Sequence, residues 1–313
     1  MGLLNEGKAG YTPNIIELDD NVERNDFFSK QSSLLVMFLT SEINIREFIV
    51  TEETALHLQV RSPLHETTAH ETTADSSQPS VPLAQRLSMN ETTTYRWSFL
   101  EDVLGYQKAG INTMGVWYPK LIDYGEERGI ELLQDAGMSV SSLSWAGGFT
   151  GGNSHSYLDS VDDALAALEL AGKLKAKSLV LVSGARAGHT MNHARNIFVD
   201  ALNVLMPLAK SLNVALAIQP MAPSFAYEWT FLTRLDDALQ IIDTCNHPQV
   251  QLVFDVYHLW KTPQLLSRIQ EIASRTTLVQ LSDYVCSPST NYERLLPGEG
   301  DIPVADIIQA FEE

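Results

Sequence analysis

Asp255 and His258 stand three residues apart in an apolar run, Val250–Trp260, reading VQLVFDVYHLW. In a strand, Val253, Asp255 and Tyr257 share a face, so the carboxylate points into hydrophobic surroundings. An unpaired charge there is very costly, and a cation or a ring of polar partners removes the cost. His258 is a suitable second ligand. The competing reading of the same residues is a buried Asp that caps the next turn, followed by a surface His. Two further apolar runs end in polar residues, Gln219 in AIQPMAP and Gln280 in VQLSD. Gln219, Asp255 and Gln280 form an oxygen-bearing set, with His258 adding nitrogen. Such a set suits Mn²⁺, Mg²⁺ or Co²⁺ better than a thiolate-bound ion. Arg294, just ahead of PGEGDIP, has the fork that holds a phosphate or a developing oxyanion, or else is a surface arginine. Trp117, Trp145 and Asp283 also follow apolar runs, as substrate contacts or as ordinary rim and core residues.

The elements that must position these residues read as a repeated strand-then-helix pattern from Val81 onward. Strands are expected over Arg86–Met89, Ile111–Val116, Met138–Leu143, Ser178–Val182, Val214–Ile218, Gln251–Val256 and Thr277–Leu281. Helices are expected over Trp97–Ala109, Leu121–Ala136, Val161–Leu174, Ala194–Ser211 (kinked at Pro207), Leu232–Thr244, Leu265–Ser274 and Val304–Phe311. The strand runs are apolar throughout, as in a parallel sheet covered by helices on its faces. A doubly wound nucleotide binder wants a glycine-rich turn after its first strand, and Met89–Thr94 contains no glycine. Polar residues instead follow many different strands, which is the pattern of a (β/α)8-type TIM barrel. The chain reaches Glu313 where an eighth strand of its own is expected. Ser33–Leu39 or Ile43–Val50 is therefore expected to fill the slot between the seventh and first strands.

Residues 1–80 differ in texture and carry a net charge of −8 out of −18. His65–Ser80 contains a repeated HETTA unit that cannot build a core, so this segment reads as a variable extension with a low-complexity linker, ahead of the barrel at 81–313. Its His65-Glu66 and His70 miss the H-E-x-x-H spacing of zinc proteases. The acidic balance, with a pI near 4.8, argues against binding a phosphate backbone. Only Cys245 and Cys286 are present, without a disulfide framework, and no export signal or spanning segment is visible. A soluble cytoplasmic protein is expected.

KAGINTMGVW (Lys108–Trp117), AKSLVLVSG (Ala176–Gly184), AIQPMAP, FDVYH, VQLSD and RLLPGEGDIP (Arg294–Pro303), in this order and spacing, resemble the sugar phosphate isomerase/epimerase family of xylose isomerase-like TIM barrels. The resemblance runs from about Leu87 to the C-terminus. It implies a divalent metal at the ends of four strands, a pair of glutamates that remove and return a proton beside a carbonyl, and an enediolate held by the ion. Carried over residue by residue, it makes Gln219, Asp255 and Gln280 the metal ligands, with His258 and Arg294 on the substrate. Where the family has a glutamate, this chain has Gln219, which cannot accept a proton at neutral pH and supplies no charge. The eighth-strand glutamate has no counterpart in the sequence, and Glu228, a few residues on, is the nearest spare base. The implied function is a sugar or sugar-phosphate isomerase/epimerase. The alternatives are a metal-dependent keto-sugar or inosose dehydratase and a non-catalytic sugar-binding barrel. The expected partner is a small sugar or sugar phosphate, with self-association left open and neither nucleic acid nor membrane expected.

Overall fold

The structure, a computed structural model, describes residues 37–40, 87–152, 155–285 and 294–313. Seven strands run parallel: β2 (Leu87–Asn90), β3 (Thr113–Trp117), β4 (Ser139–Gly147), β5 (Ser178–Val182), β6 (Ala215–Ile218), β7 (Val250–Asp255) and β8 (Thr276–Leu281). They curl into an open barrel-like sheet whose two edges, β2 and β8, face one gap. The strand β1 (Met37–Thr40) lies in that gap and runs antiparallel to both neighbours. Phe38 is paired with Ser88 on one side and with Gln280 on the other, so the ring is closed. This is the slot that the Ser33–Leu39 segment was expected to fill. Without β1, both edges would present unpaired backbone groups. Ile43–Val50, His65–Ser80 and Cys286 lie outside the described residues.

The helices follow the strands in order: α1 (Phe99–Lys108), α2 (Tyr118–Tyr124), α3 (Glu126–Asp135), α4 (Tyr157–Lys173), α5 (Met191–Leu212), α6 (Leu235–Cys245), α7 (Val256–Leu259), α8 (Leu265–Ile272) and α9 (Val304–Glu312). The helix expected over Leu121–Ala136 is two helices, broken at Gly125, where φ is 105°. That backbone conformation is open to glycine and strained for other residues. Pro207 sits inside α5, which remains one element of 22 residues. The β4 strand continues to Gly147, four residues past the expected end, and so carries Trp145 into the ring.

Most large side chains pack between the sheet and the helices, among them Phe99, Phe198, Leu143, Leu168 and Phe254. The interior of the ring is small by contrast. On one side it holds Val180, Ala217, Val253 and Leu278, with Trp145 packed on them. On the other, Ser88 and Ser141 share a hydrogen bond of 2.7 Å. No helix among the described residues is long and apolar enough to cross a membrane.

A charged network ties β2 to its helices. Glu91 is fully buried and accepts a 2.6 Å hydrogen bond at Oε2 from the Trp117 backbone N–H. Lys120 Nζ donates to Asp102 Oδ2 at 2.5 Å, to the Thr94 carbonyl at 2.8 Å and to the Glu91 carbonyl at 3.2 Å. Burial pushes the Glu91 carboxyl well above its ordinary value of 4.5, against the pull of the Trp117 bond and of Lys120. The neighbouring carboxylate of Asp102, itself paired with Lys120, adds to the upward shift.

Two predictions follow from this architecture. Phe38→Pro removes a ladder donor from the middle of β1 and is expected to cost about 2–3 kcal/mol of stability in urea unfolding; a loss under about 0.5 kcal/mol would contradict the closing role. For Glu91, the raised folded-state pKa means that its contribution is fully present below pH 4.5 and is lost as pH rises toward the folded value. Glu91→Gln is expected to flatten that alkaline decline, and unfolding curves across pH 5–9 (about the range above the ordinary carboxylate pKa) with an unchanged slope would exclude the assignment.

Candidate functional site

The strand alternation sets the floor of the barrel mouth. Ala217, Val253 and Leu278 face inward, so Gln219, Asp255 and Gln280, each two residues further along, face inward one level higher. Asp255 and Gln280 are register partners on β7 and β8. All three are buried, Asp255 completely. Gln219 Nε2 donates to Gln280 Oε1 at 2.9 Å and to Asp255 Oδ2 at 3.3 Å. With two acceptors before it, the amide is oriented with its NH₂ toward the cluster, because the flipped amide would set oxygen against oxygen.

Arg294 reaches the same carboxylate from the loop beyond β8. Its Nη1 donates to Asp255 Oδ1 at 3.1 Å and its Nη2 to Oδ2 at 2.9 Å, a two-pronged pair. Nη1 also donates to Ser282 Oγ at 3.0 Å, and the guanidinium lies 4.2 Å over the Tyr257 ring. The Tyr257 backbone N–H donates to Asp255 Oδ1 at 3.0 Å, so Asp255 also caps the short helix α7. Each carboxylate oxygen therefore accepts two hydrogen bonds, and an ionised carboxylate has about four lone-pair sites in all. Burial by itself would raise the Asp255 pKa, but Arg294 and His258 beside it hold it below the ordinary value.

His258 is packed between Phe225, at 4.8 Å, and Tyr257, at 5.1 Å between ring centres. Its Nδ1 accepts the Ala222 backbone N–H at 3.3 Å. Its Nε2 lies 3.2 Å from Arg294 Nη2 and 3.6 Å from Asp255 Oδ2, so each ring nitrogen faces an N–H donor. Burial pushes the His258 pKa down to about 4, with Arg294 adding to the shift and Asp255 opposing it. At neutral pH this histidine is uncharged, and both of its ring nitrogens lie against protein groups.

Three tryptophans stand at the carboxyl ends of β3 and β4 and in the loop after β6. Trp117 and Trp145 stack at 6.4 Å, and Trp229 meets Trp145 edge-on at 5.3 Å. All three are half-buried. Asp283 goes elsewhere: its carboxylate accepts the backbone N–H groups of Tyr284, Gly298 and Ile302, at 2.8, 2.9 and 2.9 Å. It folds the PGEG loop, and a Cβ on Gly300 would lie 2.3 Å from Asp283 Oδ1, which leaves room for glycine only. Its expected substrate contact is thus replaced by a loop-holding role that positions Arg294. Glu228 lines a separate cavity of about 750 Å³ with Arg186 and the Gly184–Gly188 turn, across the 222–231 loop from His258. Trp229, Phe225 and Ser282 escaped the sequence reading; Ser282 alone had a positional signal, directly following β8.

As arranged, the floor does not suit a divalent ion. Its one carboxylate is saturated and neutralised, Gln219 turns a donor toward the centre, and among the described residues no other carboxylate is in contact with the set. A guanidinium about 4 Å from a dication is repelled by about 8 kcal/mol at an effective dielectric of about 20. Among the described residues, no group of three or more His, Cys, Asp or Glu side chains is arranged to hold a metal.

The model of the family described as xylose isomerase-like TIM barrel matches residues 105–313. The chain belongs to this family. Among solved structures, protein SMc04130 from Sinorhizobium meliloti 1021 is 26% identical with a TM-score of 0.64, covering 70% of this chain and 81% of that one. The IolI protein with a bound zinc atom is 20% identical with a TM-score of 0.61, covering 72% and 83%. The 3-keto-D-glucoside 4-epimerase YcjR from E. coli is 16% identical with a TM-score of 0.57, covering 68% and 81%. At these lower identities the likeness is one of fold. No curated protein matches the chain significantly.

Breaking the Asp255–Arg294 pair from one side leaves an uncompensated buried charge. Arg294→Met is expected to cost about 3–5 kcal/mol, read from urea midpoints, whereas Glu228→Gln in the separate cavity stays within about 0.5 kcal/mol.

Proposed function

We propose that the barrel mouth binds a small sugar or sugar phosphate, and that the chain is a sugar isomerase/epimerase-type barrel whose mouth is built first for recognition. One observation carries the reading: a floor of amide, carboxylate and guanidinium groups shares the carboxyl end of the barrel with three half-buried tryptophans. Sugars present apolar C–H faces and rings of hydroxyls, and such a combination addresses both. The Gln280 amide NH₂ is a donor at this floor, and the Gln219 oxygen is an acceptor. Membership of a family that includes sugar isomerases and epimerases supports the same ligand class.

A second reading, isomerisation or epimerisation through an enediolate, is favoured by the position of Asp255 and Arg294 at the mouth. A substrate carbonyl that draws Arg294 onto its oxygen would release Asp255. The freed carboxylate would then take the proton from the adjacent carbon, while the guanidinium stabilises the oxygen charge that develops; return of the proton completes the turnover. His258 does not serve as the base, because its Nδ1 faces the Ala222 backbone N–H and its Nε2 faces Arg294 Nη2. The zinc of the IolI structure raises the question of a resident metal here, Mn²⁺, Mg²⁺ or Co²⁺ included. The donor set of this mouth answers against one, and no step above runs through an ion.

Tryptophan fluorescence separates binding from its absence. Titration with fructose, psicose, tagatose and hydroxypyruvate is expected to change the emission for at least one of them, with Trp145→Phe losing most of the signal change. Solvent-deuterium incorporation into the same compounds tests the second reading. Exchange that falls at least about a hundredfold in Asp255→Asn supports it. No fluorescence change and no exchange with any sugar would sink both readings.

A further inference from the structure

We propose that Arg294 is the resident cation of this barrel mouth, and that its guanidinium excludes the divalent ion from the floor formed by Gln219, Asp255 and Gln280. The inference concerns the cation alone and stands whether or not a sugar binds.

Both oxygens of Asp255 are fully engaged. Its Oδ1 accepts from Tyr257 N and Arg294 Nη1, and its Oδ2 from Arg294 Nη2 and Gln219 Nε2. A metal ion would need at least one of these lone pairs, so at least one donor would have to leave. The Tyr257 donor is fixed, being the backbone N–H that opens α7. Arg294 is held at three further points, the Ser282 hydroxyl at 3.0 Å, the His258 Nε2 at 3.2 Å and the Tyr257 ring at 4.2 Å. Its backbone is pinned through Leu295, which exchanges two 2.9 Å hydrogen bonds with Asp283, the residue that also gathers the PGEG loop. The arginine is thus built into the floor by its own loop.

Gln219 completes the logic. A glutamate there would set a second negative charge against Asp255, and two carboxylates side by side call for a cation of charge two. Glutamine instead presents an NH₂ that Asp255 and Gln280 both accept. One carboxylate with one guanidinium is already neutral. Position 219 and the posture of Arg294 are therefore matched, each removing the need for the ion that the other would otherwise require. A guanidinium also disperses its charge over a planar fork that fits one carboxylate, where a small dication would need several anionic oxygens.

The test uses the full chain. Wild type is dialysed against Zn²⁺ or Mn²⁺, its metal content is measured, and the ions are titrated calorimetrically, with thermal unfolding followed with and without EDTA. The expected result is no metal bound at the mouth and an unchanged unfolding temperature. Asp255→Asn assigns any metal that is found: binding that this variant leaves intact lies elsewhere and upholds the proposal. Stoichiometric binding that it abolishes overturns the proposal. The double variant Gln219→Glu/Arg294→Met supplies the second carboxylate and withdraws the guanidinium, and it is expected to bind either ion at least about tenfold more tightly than wild type. A folded double variant that binds no better overturns the claim that the guanidinium is what excludes the ion. Should the double variant not fold, the wild-type and Asp255→Asn measurements decide alone. Loss of sugar binding leaves the proposal intact, because every readout here is of metal.

Discussion

The saturated carboxylate of Asp255 organises the mouth of this barrel. A fully buried carboxylate must be satisfied on every side, and here the partners come from four directions. They are the strand it terminates, which supplies the Tyr257 N–H of the following turn, the neighbouring strand β6 through Gln219, the loop beyond β8 through Arg294, and the edge of His258. Each partner is fixed in turn by something outside the mouth. Gln219 is shared with Gln280, Arg294 with Ser282 and Tyr257, and His258 with the Ala222 backbone. Such a network resists partial disruption, because every lost bond leaves a buried polar group without a partner.

The network needs the barrel to be closed. Gln280 lies on β8, whose outer edge would be open without β1, and Gln280 is itself the register partner of Phe38. A short antiparallel strand therefore supports the strand that carries one wall of the floor. On the opposite side of the gap, β2 is braced from outside by the Glu91–Asp102–Lys120 network. The two edges of the curled sheet are thus held by different means: one by a borrowed strand together with the loop chemistry of Asp283, the other by that strand and a buried ionic cluster.

Much of this was readable from the residues, for a physical reason. Parallel strands buried on both faces are apolar throughout, so Ser178–Val182 appeared at its observed bounds and the other strands within a few residues. The unpaired slot after the seventh strand drew attention to Ser33–Leu39, of which Met37–Leu39 pair on both sides. Asp255, Gln219 and Gln280 were found together because strand alternation is a local rule. The roles were harder. Asp283 and Arg294 both sat in a loop with sugar-site spacing, yet one folds the loop and the other grips Asp255, and only three-dimensional distances distinguish them. The break at Gly125 was missed because the apolar periodicity continues across it. Glu91 was invisible as a buried acid, since its partners Asp102 and Lys120 come from two separate helices. The capping reading of Asp255 holds, since its carboxylate opens α7, while the His258 side chain that this reading put at the surface is buried.

The central claim is that the guanidinium of Arg294 occupies the place of an ion. Crystals grown in the presence of Zn²⁺ and measured at the zinc absorption edge test it most directly. The account predicts Arg294 forked on both oxygens of Asp255, with no anomalous peak between Gln219, Asp255 and Gln280. A peak at that position, with Arg294 swung away and the Gln219 amide flipped to present its oxygen, would contradict it.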